Sequence, residues 1–288
     1  MIDGILLLGG GVLAGLFGSL LGLGGGILIV PILTLGFGLP LIQAVGVSLV
    51  AVIVTSGAAS GVYLERRVAN LRLGMTLELF TAMGALVGGL VAFLVPERLL
   101  ELLFAALLAW VAVTMLRRKD PKTTGPEPEP AIVADRTPDR PSTMVAGTMA
   151  ADETVAFIDR LSGPDYRVGR LGIGAVGSVG AGVISALLGI GGGLVKVPVM
   201  HVIMGVPLRV ATATSNLMIG ITASASAIIY LLRGGIDPYV AAPTAIGVFV
   251  GASIGSRVAH RIGLRILRGL FVAILLYTAW QMLQRAIA

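Results

Sequence analysis

Apolar runs long enough to cross a bilayer constrain this chain more than any other feature. The first extends from Ile5 to about Leu39, broken at Gly22-Leu23-Gly24-Gly25-Gly26. Others cover about Leu41 to Leu64, Leu73 to Val95 and Leu99 to Leu116. At about 1.5 Å of rise per residue, each of these three can span roughly 30 Å of hydrocarbon as a helix. Charge is segregated to match. Of 21 Lys and Arg and 15 Asp and Glu, half fall between Arg117 and Arg170. Charged residues make up 12% of the chain, against roughly a quarter in a soluble domain. A soluble fold cannot hide this much apolar surface, so the chain belongs in a lipid bilayer.

Several chemistries are excluded or disfavoured. No Cys is present, which removes disulfides, thiolate–zinc sites and a cysteine nucleophile. His201 and His260 are the only histidines, too few for a His-rich metal site. No Ser–His, Asp–Asp or metal constellation appears within the apolar runs, so an enzyme is not expected. No cofactor or nucleic-acid partner is expected either. The basic balance, pI near 10.2, reads as cytoplasmic Lys and Arg flanking membrane spans. Met1-Ile2-Asp3 lacks the basic start of a signal peptide, so the first apolar stretch reads as retained.

The polar interruption holds seven of the 14 prolines, including the run GPEPEP at 125–130. That composition describes an extended linker. Within it, Asp152 to Leu161 can form a short amphipathic helix, either docking element or connector. The chain therefore divides into a membrane repeat at 1–118, a cytoplasmic linker at 119–168 and a second membrane repeat at 169–288.

The second block repeats the first. LLGLGGGILIVP, Leu20 to Pro31, aligns with LLGIGGGLVKVP, Leu187 to Pro198. The same shift of 167 places Pro40 on Pro207, Ala44 on Ala211 and Ser48 on Ser215. It also places Gly84 on Gly251, Gly88 on Gly255, Arg98 on Arg265 and Phe104 on Phe271. One shift holding over so long a stretch marks an internal duplication.

Basic residues indicate how the halves relate. If each Gly-rich segment is a hairpin, each half makes three further crossings and the second half is inverted. Tracing that arrangement leaves 17 of the 21 Lys and Arg on one side, with Lys196 inside the membrane. A single crossing per Gly-rich segment gives parallel halves and a 14 to 6 split. The first trace obeys the positive-inside rule better. It puts the linker in the cytoplasm and both termini outside. Two full crossings in place of the hairpin would give the same parity, but the second legs are short. Ile27 to about Gly38 is 12 residues, about 18 Å of helix. The expected fold is thus all-α and integral to the membrane: two inverted repeats, each a Gly-rich broken or re-entrant hairpin plus three transmembrane helices.

Short, Gly-interrupted segments at matched places in two repeats point to a transporter's binding site. The tips Gly24, Gly25, Gly26 and Gly191, Gly192, Gly193 permit tight turns and feed helix N-termini, whose free N–H groups suit an anion. The structural alternative is close helix packing. Lys196 is the sharpest single signal. It sits three residues beyond Gly193, too deep to snorkel, and the first repeat has Ile29 in its place. It reads as an anion ligand, with a buried carboxylate partner as the alternative. Gln43, Ser48, Thr212, Thr214, Ser215 and Asn216 could complete an oxyanion site or bond between helices. Thr55, Ser56, Ser60, Thr222, Ser224 and Ser226 read as packing residues. Glu78, one turn inside its run, reads as an interfacial residue facing the basic side, with proton relay as the lesser reading. His201 reads as a polar residue facing water.

The motifs Leu21 to Ile27 (LGLGGGI) and Leu188 to Leu194 (LGIGGGL), followed by Pro31 and Pro198, resemble the TauE/SafE family of sulfite and organosulfonate exporters. The resemblance spans both apolar blocks. It implies an inner-membrane permease of a bacterial-type cell for small sulfur oxyanions or sulfonates, driven by the proton gradient through alternating access. An anion channel, or a permease for another oxyanion, is the alternative. Partners are then the small anion and the bilayer, with a homodimer expected only from the general habit of permeases.

Overall fold

The computed structural model describes residues 2–21, 25–65, 69–117, 162, 166, 168–258 and 264–287. The chain is helical: α1 (Ile2–Leu21), α2 (Gly26–Pro31), α3 (Leu41–Glu65), α4 (Leu71–Ala92), α5 (Glu97–Arg117), α6 (Leu171–Leu188), α7 (Gly193–Pro198), α8 (Leu208–Leu232), α9 (Pro238–Val258) and α10 (Leu264–Ile287). A π-helical turn follows each short helix, Ile32–Gly36 and Val199–Ile203. Among the described residues, seven helices are long and apolar enough to cross a membrane: α3, α4, α5, α6, α8, α9 and α10. The protein is a multi-pass membrane protein. Six of the seven are the crossings expected from the sequence. The seventh, α6, is the first leg of the second Gly-rich hairpin; its 18 residues give about 27 Å of helix.

The duplication is visible element by element. A shift of 167 carries α2 onto α7, the first π turn onto the second and α3 onto α8 without a residue of slack. The starts of α4 and α9, and of α5 and α10, match as well. Pro31 and Pro198 close the short helices because proline offers no N–H to continue the ladder. The backbone then widens to a π turn and wraps identically in both halves. Leu39 N–H donates to the Leu33 carbonyl at 3.2 Å, and Val206 N–H to the Met200 carbonyl at 2.9 Å.

The major packings come in matched sets. α1 lies along α9 as α6 lies along α4; α4 packs on α8 as α9 packs on α3; α3 meets α8 and α5 meets α10 across the middle. The first set depends on missing side chains. A Cβ at Gly84 would collide with the Val179 carbonyl, and one at Gly182 with the Thr81 carbonyl. Their counterparts Gly251 and Gly15 lie against the carbonyls of Val12 and Val248. Backbones approach closely, as is usual where lipid supplies no hydrophobic drive and dispersion must hold helices together.

The central helices α3 and α8 run in opposite directions. Gly46, early in α3, lies against Gly235, beyond the end of α8. Ser56, further along α3, donates to the Asn216 carbonyl at 2.7 Å, in the first half of α8. Two tethers fix the first repeat. Glu97 Oε1 accepts from Leu41 N–H at the start of α3 at 2.6 Å. Arg285 on α10 donates to the Thr34 carbonyl at 3.0 Å, inside the first π turn, and pairs with Glu101 at 3.2 Å.

Candidate functional site

Both glycine tips converge on the α3–α8 contact. Gly25, Gly191 and Gly192 have φ of 71°, 74° and 73°, left-handed values that glycine adopts without strain. They reverse the chain ahead of α2 and α7. Gly26 and Gly191 lie against opposite methyls of Val52, and Gly191 and Gly193 against Ile219. Val52 and Ile219 are themselves matched by the shift of 167. Gly24 lies outside the described residues.

Ser48 stitches the two hairpins together. Its hydroxyl is fully buried and donates to the Gly189 carbonyl at 2.7 Å, with the Gly26 carbonyl at 3.2 Å. The matched Ser215 is equally buried beside Gly193, and its hydroxyl has no hydrogen-bond partner among the described residues. The Ser185 hydroxyl, next to Gly192, has none there either. Asn216 is buried, and its carbonyl accepts from Ser56. Gln43 is half-buried, one helical turn before Val47 in α3.

Lys196 sits deep in the bundle, within α7. It is 1% exposed, and its backbone N–H closes the first turn of α7 on the Gly192 carbonyl at 3.0 Å. Its ammonium donates to Glu78 Oε2 at 2.7 Å and to Thr222 Oγ1 at 2.8 Å. Thr222 in turn donates to Glu78 Oε1 at 2.6 Å. The three groups form a closed, buried triad between α4 of the first repeat and α7 and α8 of the second. Glu78 is 4% exposed, so it does not face the basic surface as its place in the run suggested. Thr222 belongs to the triad rather than to packing alone.

The sequence carried a signal for this pairing. Lys196 and Glu78 both occupy positions where the other repeat is neutral, Ile29 and Ala245, whereas Thr222 matches Thr55. Thr55 spends its hydroxyl on its own helix, on the Ala51 carbonyl at 2.7 Å. Two unmatched opposite charges in an otherwise symmetric apolar frame must neutralise each other, or something else, at low dielectric.

The end of the linker reaches the rim of this region. Asn70 caps α4 by accepting from Leu73 N–H at 3.0 Å. Its amide donates to Tyr166 Oη at 2.8 Å, and its backbone N–H to Thr214 Oγ1 at 2.9 Å. His201 is exposed, its Nδ1 against the Val206 carbonyl at 2.9 Å. The 152–161 segment lies outside the described residues. Among the described residues, no group of His, Asp and Glu could hold a metal ion.

Comparison with known proteins fits this architecture. The family model described as sulfite exporter TauE/SafE matches residues 7–282. The "Probable membrane transporter protein YunE" of Bacillus subtilis is 24% identical over 255 residues, 86% of this chain and 85% of its own. The "Probable membrane transporter protein YdhB" of the same organism is 25% identical over 248 residues, covering 85% and 86%. No solved structure matches. With paired glycine hairpins, duplicated spans and a family match over nearly its whole length, the chain belongs to the TauE/SafE family of membrane transporters.

Proposed function

We propose that this protein is a secondary transporter that exports a small anion, such as sulfite or an organosulfonate, by alternating access of two inverted repeats coupled to the proton gradient. The observation that carries the reading is the Lys196 ammonium, fully buried between the halves beside a glycine turn. A fixed cation inside the hydrocarbon is costly and marks an ion pathway by default. The antiparallel run of α3 against α8 supports inversion, because matched helices related by an axis along the membrane normal would run parallel. The site consists of Lys196, Gly24, Gly25, Gly26, Gly191, Gly192, Gly193, Ser48, Ser215, Asn216 and Gln43. Close packing of the tips against Val52 and Ile219 favours a carrier over a channel, since a channel needs an open path. In a bacterial-type inner membrane the linker is cytoplasmic and both termini are outside.

Thermal unfolding of the purified protein with sulfite, isethionate, sulfoacetate, taurine, sulfate, thiosulfate and chloride tests this. A ligand of the folded state adds about 2.7 kcal/mol at a hundred times Kd. Stabilisation by a sulfur oxyanion or sulfonate is expected, and its loss in Lys196→Met combined with Glu78→Gln, which leaves no buried charge. Absence of any shift in the wild type overturns the reading.

A further inference from the structure

The triad fixes the sense in which protons and anion move. We infer that Glu78 is the proton carrier, and that one proton and one anion bind together and cross together, Glu78 taking the proton as Lys196 exchanges its carboxylate partner for the anion. This rests on the reading of Lys196 as the anion's partner.

Charge balance in a dry site couples the two ions. Lys196 and Glu78 are 1% and 4% exposed, and the ammonium's described acceptors are Glu78 and Thr222. An anion can take the Lys196 ammonium only by displacing the carboxylate. If Glu78 stays ionised, two negative charges face one positive charge. If Glu78 is protonated with no anion bound, the ammonium is left uncompensated. Both states bury a net charge, which costs several kcal/mol. With Lys196 kept as an ammonium, two states remain neutral. In one, Glu78 carboxylate pairs with Lys196 ammonium. In the other, a proton from solvent sits on Glu78, the N–H···Oε2 bond is broken, and the ammonium donates to the anion. Thr222 suits both, because its hydroxyl can donate to either form of the Glu78 carboxyl. The net step is uptake of one proton and one monovalent anion, reversed on the opposite side. Net direction then follows the product of proton and anion concentrations across the membrane, so export runs where the outward anion gradient exceeds the inward proton gradient.

Among the described residues, no other group competes for the role. α6, packed on α4, carries no titratable residue. On α4, Arg72 is exposed in the first turn. On the second hairpin, His201 is exposed beyond Pro198. On α8, Arg209 is three turns before Thr222, and Tyr230 donates to the Ala186 carbonyl at 2.9 Å. The place matched to the pair is neutral, with Ile29 from the first repeat and Ala245 from the second, so the same packing is built once without the charges. A buried pair adds little stability over apolar packing, which leaves coupling as its reason.

The test uses full-length protein in proteoliposomes with isethionate, whose sulfonate stays ionised throughout, and sulfite as second probe. With one bound proton per anion, the apparent Kd for isethionate falls about tenfold per pH unit as pH drops, wherever unliganded Glu78 is ionised. An inward isethionate gradient makes the outer medium more alkaline, and an imposed acid-outside gradient drives accumulation. In Glu78→Gln combined with Lys196→Arg, whose guanidinium keeps its proton, the Kd becomes independent of pH and gradient-driven accumulation falls to background. Proton release against anion entry, a ratio near zero in the wild type, or full pH dependence in that double variant overturns the proposal. If the double variant does not fold, the wild-type proton-to-anion ratio decides alone. A wild type that exchanges neither probe across the membrane overturns the anion reading, and coupling with it. Exchange without proton movement overturns coupling only.

Discussion

Lys196 Nζ and Glu78 Oε2 meet at 2.7 Å although 118 residues separate them, and each comes from a different repeat. The pair is therefore also a latch between halves. Removing one member leaves the other buried and unpaired, at a cost of about 3–5 kcal/mol. Glu78→Ala should lower stability by that order. Combining it with Lys196→Ile copies the neutral residues at the matched positions, Ala245 and Ile29, and should restore stability to within about 1 kcal/mol of wild type while transport stays lost. Denaturant or thermal unfolding of both variants checks this; a double variant as unstable as the single one would contradict it.

Ser48 and Ser215 occupy matched places but differ in bonding. Ser48→Ala frees the Gly189 carbonyl inside the core and should cost about 1–3 kcal/mol. Ser215→Ala removes a hydroxyl with no described partner and should cost less than about 0.5 kcal/mol without ligand. It should nevertheless weaken isethionate binding, read as a smaller ligand-induced shift in Tm.

The glycine crossings tolerate no side chain. Gly84→Val or Gly182→Val would drive a Cβ into a facing carbonyl and separate α4 from α6. A loss of about 3 kcal/mol is expected. Gly57, whose Cβ would meet open space, is the control. Gly57→Ala should change stability by less than about 0.5 kcal/mol, the usual range away from packed features.

Asn70 joins three segments: the start of α4, Thr214 of α8 and the linker's Tyr166. Asn70→Ala loses the cap and should cost about 1 kcal/mol or slightly more. Tyr166→Phe removes only the linker contact and should cost about 1 kcal/mol or less. Hydrogen exchange at the first turn of α4 should rise in the first variant and change little in the second.

The membrane class, the duplication and the place of each hairpin are legible in the residues alone. Apolar run length reports span length directly, and a conserved shift of 167 reports a repeated fold without knowledge of any contact. The depth of Lys196 was legible too, because helix rise fixes how far a residue lies from a turn. Its partner was not. Glu78 sits near the end of its own run, and whether that end faces water or the other repeat depends on how α4 is laid against α8. Ser48 shows the same limit, since a serine inside an apolar helix bonds its own backbone or a neighbour's with equal ease, and only the approach of the second hairpin chose Gly189. Local sequence sets what each helix is; which buried polar groups meet is decided by the relative placement of the two halves, since no water in the hydrocarbon offers them another partner.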